Sequence, residues 1–227
     1  MKLDVFIKGE LMDLCIPTPE YARNSDWYSW FNNPKTNRFL EQGAFPNTRE
    51  DEVAFFERER NKRLILIIVD KSGEDIGVIS VSSINFEKKI GDMAIVLSEK
   101  EHEPLTVLEA VARLTEHAFT KMGLLRMQGG QHPQLAKLRH LIGLIGWKVE
   151  GIYEKGFVKG DERVDILRIA ALYEDYLKIR NNRGSIWDSN ENMIKRYLKM
   201  PKDHFDKKLL NFYKEVRDPF YDFLFHL

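Results

Sequence analysis

The run from Ser98 to Phe119, S-E-K-E-H-E-P-L-T-V-L-E-A-V-A-R-L-T-E-H-A-F, follows the apolar stretch Met93–Leu97. A strand passing straight into a helix is a natural holder of phosphate, because unpaired amides and the helix dipole meet there. Such joints normally carry glycine, which lets backbone approach the anion. This one carries Glu99, Glu101, Glu103 and Pro104. Proline brings no amide hydrogen, and the glutamates repel a diphosphate while suiting a helix N-terminus on their own account.

Other reactive side chains are scattered. Asp92, early in the strand before the joint, is a candidate general base, beside the plainer reading of a strand-end charge. His102, His117, His132 and His140 show no H-E-x-x-H or comparable metal spacing. His117 reads as a helix-flank residue and His132-Pro133 as a turn. Ser82, Ser83 and Ser98 sit in no nucleophile elbow. Trp27, Trp30 and Trp147 read as core, and Gly143-x-x-Gly146 lies at a helix end rather than after a strand.

Composition narrows the class. The chain has 227 residues, with 43% apolar and 31% charged residues, ordinary for a globular protein with a sizeable core. Its 35 basic and 35 acidic residues balance, so no field favours nucleic acid or an anionic membrane as partner. Cys15 is the single cysteine, which excludes a disulfide framework and a thiolate zinc site. The N-terminus has no apolar signal segment, and Leu64–Val69 is far too short to span a bilayer. These features point to a reducing, cytoplasmic compartment.

The elements that must position any site follow from periodicity. Strands are expected near Val5–Lys8 and Leu11–Ile16, and a helical pattern over 21–40 breaks at Asn33-Pro34. Thr48 caps a helix that ends near Lys62. Leu64–Val69, Ile76–Ser83 and Ile90–Leu97 read as antiparallel strands, followed by a helix over Thr106–Lys121. A short strand at Leu124–Gln128 leads to a helix over Leu135–Ile145 ended by Gly146. Trp147–Val158 and Arg163–Leu172 form a hairpin around Gly160. The result is an α/β layered domain over 1–173 with a helical, aromatic-rich extension over 174–227. Arg180–Gly184 reads as its linker. The final D-P-F-Y-D-F-L-F-H-L is expected to pack on its own domain or on another chain, since exposing it is costly.

Phe6–Leu14, Trp27–Pro34 with Phe39-Leu40, His132–Gly151 and Asp165 together resemble the GNAT acetyltransferase superfamily, in the branch that acetylates ribosomal-protein N-termini and some amino sugars. Phe6–Leu14 is similar to that branch's opening L-x-G-x-x-V-x-L-R, and Trp27–Pro34 with Phe39-Leu40 to W-x-N-D-P-E-V. His132-Pro133 through Gly146-Trp-Lys-Val-Glu-Gly151 resembles H-P-x-N-x-x-S-x-x-x-x-x-K-x-G-F-x-x-E-G, and Asp165 stands where the branch places the aspartate of its last strand. The resemblance covers about three quarters of the chain. It implies a mixed, mostly antiparallel, splayed sheet with acetyl-CoA wedged in the gap, and no metal. The pantetheine arm would pair with the strand at Val96 and Leu97. The pyrophosphate would meet the amides of Leu105, Thr106, Val107 and Leu108.

The chain departs from the pattern at three places. The family's Q/R-x-x-G-x-G/A loop falls on His102, Leu105 and Val107. Its CoA-contacting asparagine falls on Leu135, and its thiol-facing hydroxyl on Leu138 or, in the tyrosine-bearing variant, on Ile142. The expectation is an N-acetyltransferase acting on a primary amine. The alternative is a catalytically degenerate relative that serves in assembly, with a homo-oligomer or protein partner gripped by the extension. The sequence does not indicate the acceptor.

Overall fold

The computed structural model describes residues 2–100 and 102–227; the expectations resting on Met1 and Glu101 lie outside these. The chain runs β1 (Asp4–Lys8), β2 (Met12–Ile16), three short helices α1 (Pro19–Asn24), α2 (Trp27–Trp30) and α3 (Pro34–Asn37), then α4 (Arg49–Glu59). Next come β3 (Leu64–Asp70), β4 (Asp75–Asn85), β5 (Ile90–Leu97), α5 (Pro104–Thr120), β6 (Arg126–Gln131) and α6 (Ala136–Leu141). The hairpin β7 (Trp147–Lys159) and β8 (Glu162–Leu172) precedes α7 (Tyr173–Arg183), α8 (Asn190–Leu198), α9 (Phe205–Phe212) and α10 (Asp218–Phe225).

The eight strands form one sheet in the order β1-β2-β3-β4-β5-β6-β8-β7, antiparallel except for β5 beside β6. Alternation along the central strands feeds two cores. Leu66, Ile68 and Ile79 face α5 with Leu108, Val111 and Leu114, whereas Ile65, Ile67 and Val78 face α1, α2 and α4 with Tyr21, Trp27 and Phe56. Successive strand side chains point to opposite faces, so apolar residues at consecutive positions mark a strand covered on both sides.

Local signals explain most boundaries. Thr18 accepts from the Tyr21 amide at 3.0 Å to cap α1, and Thr48 with Asp51 closes a reciprocal capping box on α4. The helical stretch from Tyr21 is cut into three because Ser25 is extended and Asn33 turns out to cap α3. The helix α5 begins at Pro104, earlier than the sequence pattern indicates, because proline fits the first helical position. Gly146, at φ +90°, ends the helical turn before β7 as expected.

One expectation for the extension is corrected, and of the two alternatives for its aromatic tail the first is not met. Arg180–Arg183 is helix rather than linker: Tyr176 packs against Phe119 and Tyr173, Arg183 donates to the Leu144 carbonyl, and only Gly184 ends the helix. Tyr176, Ile186, Trp187 and Met193 are all buried in the core that α5 covers. The last aromatics, by contrast, do not pack on their own domain. Phe220, Phe223 and Phe225 are exposed, and α9–α10 is held instead by polar ties, Asp206 to Arg139 and Arg217 to Glu154.

Candidate functional site

Strands β5 and β6 pair only over Ile90–Asp92 and Arg126–Gln128. Beyond those residues each strand continues without the other, β5 to Leu97 and β6 to Gln131. The sheet therefore forks, and a cleft of about 420 Å³ opens between the two arms. Val96 and Leu97 line one arm, Gly129, Gly130 and Gln131 the other, with Leu135 and Leu138 also in the wall. A Cβ added to Gly129 would come within 3.3 Å of the Met93 carbonyl oxygen, so glycine keeps the narrow end of the fork open. Phe39 and Leu40 close the cleft from the segment after α3.

Two polar atoms in this lining have no partner. The Ser98 Oγ and the Gln131 Oε1 are both buried and unbonded among the described residues. Buried polar groups are normally hydrogen-bonded, so these two, at the ends of the arms, suit a ligand that carries its own donors. His132 also lines the cleft and is almost wholly buried. Its Nδ1 accepts from the Gln134 amide at 3.3 Å, and its Nε2 lies 3.3 Å from Glu162. Phe39 and Phe157 pack against the ring. With both nitrogens engaged, this ring braces the rim and presents no free base. The titratable side chains of the lining are then Lys35, Glu99 and His132.

The residues singled out in the sequence fall in three places. Val96, Leu97, Leu135 and Leu138 are in the cleft wall, whereas Ile142 is buried in the main core. Asp92 sits at the closed end of the fork, where Gln128 Nε2 donates to it at 2.8 Å and Arg126 in turn holds Gln128. It is not among the cleft-lining residues. Leu105, Thr106, Val107 and Leu108 form the first turn of α5, where the Thr106 amide already donates to the Glu103 carbonyl at 2.9 Å. These four do not reach the cleft wall either. Sequence reasoning passed over Gln131 and treated Ser98 only as a failed nucleophile. No spacing rule marks a residue that matters because two strands diverge beside it.

Two further polar features frame this region. Glu109, fully buried on α5, accepts from the amides of Glu10 and Leu11 at 2.7 Å each and from Arg113, clasping the β1–β2 turn to the helix. Arg139 on α6 donates to the carbonyls of His132 and Pro133 and to Asp206, so the extension steadies the His132 rim from behind. Elsewhere, burial pushes the Cys15 thiol up to about 11, which leaves it inert as a nucleophile. Among the described residues no group of three or more His, Cys, Asp or Glu could hold a metal ion, and no helix is long and apolar enough to cross a membrane.

Comparison with known proteins agrees with this geometry. A family model described as an acetyltransferase (GNAT) domain matches residues 14–147. No curated protein sequence matches the chain. Among solved structures, the spermidine N-acetyltransferase from Vibrio cholerae in complex with CoA and spermine superposes with a TM-score of 0.66 at 16% identity, covering 74% of this chain and 98% of its own. An acetyltransferase of the GNAT family from Bacillus anthracis gives 0.63 at 19% identity, covering 74% and 98%. At such identities the likeness is one of fold.

Proposed function

This chain belongs to the GNAT acetyltransferase family, and we propose that it is an N-acetyltransferase that moves an acetyl group from acetyl-CoA to a primary amine. The observation that carries the reading is the β5–β6 fork with its two unpartnered polar atoms, Ser98 Oγ and Gln131 Oε1. When bound, acetyl-CoA supplies a thioester carbonyl that an uncharged amine attacks directly. The free edge of β5 at Val96 and Leu97 holds the amide-bearing arm, and Gln131 accepts from it. Ser98 is the hydroxyl available to the leaving sulfur, since Leu138 and Ile142 have none. Glu99, at the mouth, takes the proton that the ammonium must lose, because Asp92 is tied to Gln128 at the closed end.

The diphosphate end fits less well. Pro104 brings no amide hydrogen, Glu103 repels the anion, and the Thr106 amide is already used. The reading therefore includes weak cofactor affinity. Acetyl-CoA at millimolar concentration should raise the melting temperature by mass action; an unmoved transition would count decisively against the reading. The pair Pro104→Lys with Leu105→Gly should strengthen the shift. An amine panel for turnover starts with polyamines, since the Vibrio cholerae relative holds spermine.

A second reading, assembly without catalysis, is favoured by the outward aromatic face of α9–α10. Removing residues 205–227 should then change the molecular mass by light scattering while acetyl-CoA leaves the full chain's transition where it was.

A further inference from the structure

Phe39 and Leu40 wall the cleft from a strap of chain that has little of its own to hold it there. No residue from 35 to 46 is buried, so packing anchors the strap weakly. Among the described residues, every hydrogen bond from residues 37–46 to the sheet runs to one side chain, that of Lys159. It stands 122 positions along the chain from Asn37 and ends β7 at the tip of the β7–β8 hairpin.

The Lys159 Nζ donates to the carbonyl oxygens of Asn37 at 2.6 Å, Gln42 at 2.8 Å and Leu40 at 3.1 Å, and Asn37 Oδ1 lies at 3.3 Å. An ammonium has three N–H groups, and three carbonyls meet them. The strap needs such a donor. The helix α3 is a single turn, so the carbonyls at and beyond its end lack helical amides to receive. Of the three, only Asn37 O meets another amide, that of Leu40 at 2.9 Å. Lys159 is free to serve them, because the hairpin carboxylates Glu162 and Asp165 are taken by His132 and Lys155.

The strap's other tie leads to the same hairpin. The Phe39 ring lies 4.7 Å from that of His132, which Glu162 and Phe157 hold in turn. A segment with few buried contacts and so few ties opens locally at far lower cost than the whole fold.

We propose that Lys159 is a positioning residue: its ammonium latches the 37–42 strap and so sets the Phe39–Leu40 wall of the cleft. The latch needs no ligand, and its bearing on a bound donor rests on the acyl-transfer reading. A guanidinium is a poor substitute, because its donors lie in a planar fork whereas these oxygens converge on one atom.

The test is limited trypsin digestion of the full chain without acetyl-CoA, with the cut after the exposed Arg38 followed by mass spectrometry. Lys159→Met keeps the apolar stem and removes the donors. It should be cut after Arg38 at least tenfold faster than the wild type, with an unchanged melting temperature. Cuts elsewhere, such as after Lys202 between α8 and α9, should keep their wild-type rate. Lys159→Arg, which restores the charge without the geometry, should fall between the two. An unchanged rate at Arg38 in Lys159→Met would overturn the latch. So would a rate raised equally at every site, because Lys159 would then support the fold at large and not the strap. If acetyl-CoA, added afterwards, moves the melting temperature of neither protein, the acyl-transfer reading fails and the latch is still judged by its digestion pattern.

Discussion

Two regions of this molecule, the extension and the segment around α4, bury an acidic side chain in opposite ways. Asp206, on the extension, is 6% exposed and receives Arg139 Nε at 3.0 Å, itself a buried guanidinium fixed by two carbonyls. Glu52, beside the 41–47 loop, is more deeply buried and receives only an asparagine amide. Burial pushes both carboxyls up. At Asp206 the hydrogen bonds and charge of Arg139 outweigh burial and hold it below the usual range, whereas Glu52 is raised to about 6. The difference separates burial that fastens a fold from burial that leaves a valence open. Glu109 belongs with Asp206: it is fully buried, and two amides and a guanidinium satisfy it.

If that contrast holds, the fully partnered carboxylates are the costly ones to remove. Glu109→Ala should destabilise most, by about 3–5 kcal/mol, because it empties a fully buried position and strands two part-buried amides and Arg113 together. Denaturant unfolding reads this directly, and a loss below about 1 kcal/mol would show that the β1–β2 clasp is decorative. Asp206→Ala should cost about 3 kcal/mol by leaving Arg139 buried without its counter-charge. Its pH signature is acidic: a carboxyl lowered in the folded state adds stability above its unfolded value, and that stability drains as pH falls through the lower folded one. The variant should therefore lose the steepest part of the acid limb below about pH 4.

Glu52→Gln should do the reverse and stabilise. A carboxyl raised from 4.5 to about 6 adds stability below the unfolded value and loses it as pH rises through about 6. At pH 7.5 the wild type thus carries a penalty of about 2 kcal/mol that the variant lacks, and the two should converge near pH 4. Equal melting temperatures at both pH values would erase the contrast with Asp206. The smallest effect belongs to the exposed pair Lys195–Glu191 on α8, where Glu191→Ala should leave the denaturant midpoint unmoved, because solvent screens the pair.

The family likeness was carried by short motifs, and the fold by patterns of apolar residues. Val107, Ala110, Val111, Leu114 and Ala118 occupy the buried face of α5 as their spacing requires, and Ile90–Leu97 is a strand end to end. The aromatic tail shows where such patterns fail. Trp187 and Phe223 both belong to an extension rich in aromatics, yet Trp187 is buried and bonded to Glu10 while Phe223 is largely exposed. Hydrophobicity says that burial is favourable; which residue finds a surface depends on the path of the chain.

What the sequence determined by itself are features that arise within a few residues: the strand alternation, the Thr48 cap and the glycine stop at Gly146. What only the tertiary structure decided are meetings between distant positions. The fork exists because β5 outruns its pairing with β6, 36 residues apart at Asp92 and Gln128. Arg139 finds Asp206 across 67 residues, and Glu52 keeps an open oxygen because no cation elsewhere in the described chain is brought to it. Local sequence sets backbone preference through sterics and nearby hydrogen bonds, whereas the partner of a buried charge is chosen by packing of the whole.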